Sequence, residues 1–176
     1  MKVLCIIGPS GAGKSAIVQE LHHRGLVIIT PTTTDRPRRD REVELEHKFV
    51  SSDEFDELVD KGLFIDTVQL FGLPFRYGLP PVKQSQGRIP LVMLRAPLIN
   101  KMRAVYPDIV VYQIEAPADV VEQRLKNRSN SEKGTRLSDL DAELELGRKI
   151  ADRFYINDKE INVTADAIEK DLKQDF

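Results

Sequence analysis

Residues 2–15 read Lys2-Val3-Leu4-Cys5-Ile6-Ile7-Gly8-Pro9-Ser10-Gly11-Ala12-Gly13-Lys14-Ser15, an apolar run that ends in glycines, a lysine and a serine. Val3 to Ile7 is strand-length and apolar at every position, which predicts a strand buried on both faces of a parallel sheet. Gly8 to Ser15 then fits the spacing G-x-x-x-x-G-K-[ST] at a strand-to-helix junction. The glycines let the backbone curl until several N–H groups face inward, and a helix beginning near Gly13 adds positive potential to that nest. In such a loop Lys14 reaches the β- and γ-phosphates of ATP and Ser15 holds Mg²⁺, while Gly8, Ser10, Gly11, Ala12 and Gly13 form the cradle. A tight turn by itself would need one or two glycines and neither the lysine nor the serine.

Working outward, Ala16, Ile17, Val18 and Leu21 give the first helix its apolar face, and Leu26 to Ile29 reads as a second strand. Thr30 to Arg41 is a polar loop. Ser51 and Glu54 stand at capping-box spacing, so a helix runs to about Lys61. Leu63 to Leu70 has strand character, and Gly72, Pro74 and Gly78 mark the turns of a hairpin-like region. Further on the pattern predicts a short helix at 80–86, a buried strand at 89–94, a helix at 97–105 and a strand at 109–114. The last third predicts a helix at 118–128, a polar loop at 130–134, a helix capped by Ser138 and reaching about Asp152, a strand near Tyr155 and a helix from Ala165. Strands alternating with helices predict an α/β fold, a parallel sheet with helices on both faces. The whole chain, 1–176, reads as one domain, with residues 31–79 inserted as a small lobe into a core made of 1–30 and 80–176.

The chain has 176 residues, 41% hydrophobic and 31% charged, the balance of an ordinary globular domain. No apolar run approaches the roughly 20 residues that a membrane helix requires. Cys5 is the single cysteine, so no intramolecular disulfide can form; with no secretion signal at the N-terminus, a cytoplasmic setting is expected. The formal net charge is only −2, yet Arg36, Arg38, Arg39 and Arg41 crowd together. A local basic cluster on a mildly acidic chain suits a small anion, whereas a nucleic acid polymer usually needs a broader basic face.

That cluster lies in Thr34-Asp35-Arg36-Pro37-Arg38-Arg39-Asp40-Arg41-Glu42, followed by Glu46-His47-Lys48-Phe49-Val50-Ser51. Two guanidinium forks at the spacing of Arg36 and Arg39 can clamp one phosphate from two sides. Here the sequence resembles the guanylate kinase family, in which a loop of the form TTRPPRPGE precedes an acidic residue, an aromatic one and FVS. The resemblance extends through Phe64-Ile65-Asp66, similar to the family's FxE element, and Gly72 to Gly78, similar to its GxxYG turn with two extra residues. It implies a P-loop kinase fold, ATP with Mg²⁺ as donor and a phosphorylated acceptor, GMP first. It also implies an acceptor site that includes Thr32, Arg36, Arg39, His47, Asp66 and Tyr77.

The stretch from Arg124 to Arg128 and on to Arg136 resembles the lid of nucleoside monophosphate kinases, here about residues 128–138. The resemblance assigns Arg128 and Arg136, with Lys14, to the charge of the moving phosphoryl group, and Arg124 and Asn157 to the adenine side. Transfer of that group rests on positioning and on cations, and a closed lid keeps water away.

The pattern breaks in one strand. Where the family has aspartates in a segment like LDxDxQG, this chain has Leu91-Val92-Met93-Leu94-Arg95. Losing one charged hydrogen bond costs about 1.5–3 kcal/mol, so guanine preference is expected to fall unless other contacts replace it. The same segment resembles the SRAxL stretch of ribose 1,5-bisphosphate phosphokinases, which would turn Arg95 toward an acceptor sugar phosphate. A third reading is a guanylate kinase-like module that has lost catalysis and binds phosphopeptides.

Overall fold

The architecture comes from a computed structural model, which describes residues 1–38, 44–69, 74–126 and 133–176; the side chains of 125–126 and 133–140 lie outside the description. Strand β1 (Val3–Ile7) is buried along its whole length and lies in the middle of a five-stranded sheet. Its neighbours are β7 (Ile89–Met93) and β8 (Ile109–Glu115), and β2 (Val27–Thr30) and β9 (Arg153–Ile156) form the edges, all in parallel pairing. Alternate β1 side chains serve opposite faces. Leu4 and Ile6 pack with Ile17, Val18 and Leu21 of α1 (Lys14–His23) and with Ala165, Ile168 and Leu172 of α6 (Ile161–Asp175). Val3, Cys5 and Ile7 pack with Ile99 and Met102 of α3 (Ile99–Val105). Truncating any of the fully buried isoleucines to alanine is expected to cost about 2–5 kcal/mol. Burial pushes the Cys5 thiol well above its ordinary range, so it stays protonated and inert.

The inserted lobe has its own sheet, in the order β4 (His47–Phe49), β3 (Thr32–Thr34), β6 (Arg76–Leu79), β5 (Asp66–Gln69). Beside it, α2 (Ser52–Asp60) is capped by the Ser51 hydroxyl, which accepts the Glu54 N–H at 3.1 Å. Phe55, the buried residue of that helix, stacks on Phe64 with ring centroids 5.2 Å apart. Asp35 stitches the lobe together: its carboxylate accepts the backbone N–H and the Nε–H of Arg76, both at 2.7 Å. Burial works to raise the Asp35 carboxyl, but these Arg76 donors outweigh it and hold it below its ordinary value.

Several sequence expectations need correction. Thr32–Thr34, read as loop, is a strand, because its backbone pairs with β4 and β6. Gly78 lies inside β6 and not at a turn; a Cβ there would come within 2.6 Å of the Phe64 ring, so the glycine makes room for that aromatic. No helix forms at 80–86. Its N–H groups are taken by side chains from elsewhere: Val82 N–H donates to the Tyr106 hydroxyl at 3.0 Å and Lys83 N–H to Thr30 Oγ1 at 2.7 Å. The helix expected from Ser138 begins five residues earlier, as α5 (Lys133–Ile150), so the end of the predicted polar loop is helical. The last helix begins at Ile161, four residues before Ala165.

Candidate active site

The glycine loop leaves the C-terminal end of β1, between β7 and β8, where strand order reverses and open parallel sheets place their ligands. Gly8 has φ +140° and a Cβ there would stand 2.1 Å from the Ile114 carbonyl oxygen; Gly13 has φ +90° and its Cβ would stand 2.2 Å from Asn157 Nδ2. Both glycines are therefore needed by conformation and by space. Lys14 lies across the loop, its ammonium donating to the Gly8 and Pro9 carbonyls at 2.6 and 2.9 Å. It is thus held above the nest into which a phosphate would fit.

Arg124, on α4 (Ala118–Lys126), donates to the Gly11 carbonyl at 3.1 Å and to the Asn157 carbonyl at 3.5 Å. Asn157 Nδ2 donates to the Ala12 carbonyl at 2.9 Å, while its Oδ1 is buried with no hydrogen-bond partner among the described residues. Arg124 and Asn157 thus both hold the backbone of the phosphate loop.

Ser15 and Gln19 reach across to the inserted lobe. Ser15 Oγ donates to Glu46 Oε2 at 2.7 Å and Gln19 Nε2 donates to Glu46 Oε1 at 3.2 Å. A hydroxyl and a carboxylate side by side are hard oxygen donors, the set that suits Mg²⁺. Among the described residues no cluster of His, Cys, Asp and Glu could enclose an ion by itself, so a metal here would share its coordination with phosphate oxygens and water.

On the lobe side, Arg36 is only 5% exposed. Its Nε donates to the Tyr77 hydroxyl at 3.2 Å and its guanidinium lies 5.1 Å from the Phe49 ring centroid. Thr32 Oγ1 and His47 Nδ1 are hydrogen-bonded at 2.7 Å, and the His47 ring lies 6.0 Å from that of Tyr77. Thr32, Arg36, His47 and Tyr77 are thereby brought together.

Asp66 is near them, in a small cavity of about 20 Å³ lined also by Thr32, Tyr77, Leu79, Leu94 and Lys101. Lys101 Nζ lies 2.5 Å from Asp66 Oδ2, an ion pair without the directional geometry of a hydrogen bond. That volume holds a water and not a base.

Arg95 reaches α5, where its fork meets the buried Glu143 carboxylate, with Nε to Oε1 at 2.5 Å. Arg39 and Arg128 lie outside the described residues, as does the side chain of Arg136. Sequence reasoning missed Glu46, Lys101 and Glu143 as partners. Glu46 had a signal, as the acidic residue before His47; Lys101 had none, being one more charge on a helix.

A phosphate cradle at the end of the central strand of a parallel sheet, facing a lobe with its own buried arginine, defines a P-loop phosphotransferase. Comparison with known proteins narrows the class. The guanylate kinase family model matches residues 1–174. A guanylate kinase from Prochlorococcus marinus (strain MIT 9313) is 33% identical over 137 residues, covering 73% of this chain and 70% of its own. Another, from Prochlorococcus marinus (strain MIT 9312), is 22% identical over 175 residues, covering 96% of this chain and 95% of its own. The crystal structure of guanylate kinase from Anaplasma phagocytophilum has the same fold, with TM-score 0.73 at 21% identity over 98% of this chain and 84% of that one. The chain belongs to the guanylate kinase family.

Proposed function

We propose that the protein transfers the γ-phosphoryl group of ATP to the phosphate of GMP, giving ADP and GDP. The observation that carries this reading is the Glu46–Ser15 contact, which closes the donor loop against a lobe whose Arg36, Tyr77, His47 and Thr32 converge on one spot. ATP would displace the carbonyls now holding Lys14, whose ammonium would then follow the β- and γ-phosphates. Arg36, with Arg39, would hold the acceptor phosphate in line. That phosphate is already ionised at neutral pH, so no general base is required, and the rate rests on alignment and on cations around the moving group.

Mg²⁺, bound beside Ser15, would neutralise charge on the triphosphate. Arg124 would keep the cradle in shape and border the adenine with Asn157. Once parted from Lys101, Asp66 would accept the ring N–H and amino N–H of guanine, donors that the edge of adenine does not present together. Arg128 and Arg136 are assigned by family likeness to the γ-phosphate. The lone thiol of Cys5, buried and reduced, fits a cytoplasmic setting. Among the described residues no helix is long and apolar enough to cross a membrane.

The test is ADP release from ATP and Mg²⁺ with GMP, dGMP, AMP, CMP, UMP and ribose 1,5-bisphosphate as separate acceptors. GMP is expected to stimulate most. Turnover with the sugar bisphosphate alone would replace GMP as acceptor. No stimulation by any of them, from folded protein that binds ATP, would favour a binding module.

A further inference from the structure

In P-loop phosphotransferases the P-loop serine or threonine shares its metal with a carboxylate from a neighbouring strand. Here β7, one of the two strands flanking β1, offers none at its matching end, where Val92, Met93 and Leu94 stand with Val92 and Leu94 packed into the core, and the carboxylate that ends β8, Glu115, is taken up by Arg148 and Gln113. The carboxylate that meets Ser15 comes from the other lobe. Glu46 accepts from Ser15 Oγ at 2.7 Å and is steadied from α1 by Gln19 at 3.2 Å. Its backbone is fixed as well, since the Glu46 carbonyl accepts the Thr32 N–H at 3.0 Å just ahead of β4.

A serine oxygen can offer its lone pair to a cation only while its proton points elsewhere, and Glu46 receives that proton. We propose that Glu46 is the metal-side carboxylate of this enzyme, binding the Mg²⁺ of MgATP directly or through one of its waters. This inference rests on the reading of residues 8–15 as the ATP site. It has a consequence for coupling: the group that completes the metal site lies beside His47 and Thr32, so arrival of MgATP fixes the edge of the lobe that receives the acceptor.

The sign of the effect without metal sets this role apart from a structural one. Triphosphate and carboxylate repel when no cation lies between them, so Glu46 should oppose binding of metal-free ATP and favour binding of MgATP. Calorimetric titration of a non-hydrolysable ATP analogue is the measurement, in excess Mg²⁺ and in EDTA, for the native chain and Glu46→Gln. The Mg²⁺-dependent gain in affinity is expected to fall about tenfold in Glu46→Gln, the lower end of what metal-supporting groups supply. Affinity in EDTA should be unchanged or higher. Equal weakening in both conditions, or no change in either, would overturn the proposal. Should Glu46→Gln not fold, the native protein crystallised with the analogue and Mn²⁺ decides. An anomalous peak beside Ser15, with Glu46 in its ligand sphere or one water away, is the supporting result; Glu46 turned away from the metal overturns it. Failure of the native chain to bind the analogue in either condition would instead count against the ATP site itself.

Discussion

The two phosphate-directed regions of this molecule, residues 8–15 and the lobe from Thr32 to Leu79, recruit their groups in different ways. The donor loop is contiguous: its glycines, lysine and serine lie within eight residues, and backbone geometry places them. Its contacts are mostly to main-chain carbonyls, as with Lys14 on Gly8 and Pro9 and Asn157 on Ala12. The lobe side, proposed to take the acceptor, is assembled from four strands and a core helix, and side chain meets side chain: Arg36 with Tyr77, Thr32 with His47, Asp66 with Lys101. A site fixed by backbone tolerates little change in sequence, whereas one built from side chains can exchange its specificity residue by residue.

The sharpest way to break this contrast is at Lys14. Lys14→Ala removes a cation from the moving phosphoryl group, and kcat is expected to fall by at least about 10²-fold while the melting temperature barely moves, because the ammonium holds only loop carbonyls. ADP release and thermal denaturation together check both halves. Next comes the acceptor pocket: Asp66→Asn should lower kcat/KM for GMP roughly ten- to a hundredfold and for IMP by less, because IMP lacks the amino group. An equal loss for both would place Asp66 away from the amino edge. Lys101→Met should act in the opposite direction. With its ion pair to the ammonium gone, Asp66 is open to the base, and KM for GMP is expected to drop about two- to fivefold, the scale of an exposed ion pair.

The smallest effect belongs to a part of the core remote from both regions. Arg153 holds the Asp175 carboxyl down to about 2 against burial, and the Tyr112 hydroxyl donates to the same group at 2.6 Å. A carboxyl with a depressed folded-state pKa contributes stability above its unfolded value of 3.8, and that contribution is lost as pH falls toward 2. Asp175→Asn should therefore flatten the acid limb of the stability curve between those values in denaturant titrations, with acceptor kinetics at neutral pH unchanged.

The same contrast explains what could be read in the sequence. Strand β1, the loop and α1 were legible because a fully buried apolar run and a spacing with one mechanism occur back to back. Ser51 and Glu54 announced α2 for a similarly local reason. The three threonines of β3 carried no apolar alternation, and their strand exists because β4 and β6 pair with them. The stretch 80–86 had helical composition, but Tyr106 and Thr30 claim its N–H groups. Glu46 and Ser15 are 31 residues apart, and only the docking of the lobe brings them into contact. Lys101 likewise finds Asp66 through the fold.

The grip on α5 has a mechanical meaning. Near its C-terminal end the helix is clamped three ways: Glu143 to Arg95, Arg148 to Glu115 at 2.6 Å, and Gly147 pressed so closely on Gln113 that a Cβ would come within 1.7 Å of Oε1. The first ten residues of α5, from Lys133 onward, precede these clamps along the helix. At 1.5 Å per residue that is an arm of about 15 Å, so a tilt of about 10° at the clamp sweeps its tip through roughly 2.6 Å. With the sheet as fulcrum and α5 as lever, such a tilt would convert a slight adjustment beside Gln113 into a displacement comparable to the length of a hydrogen bond at the helix start.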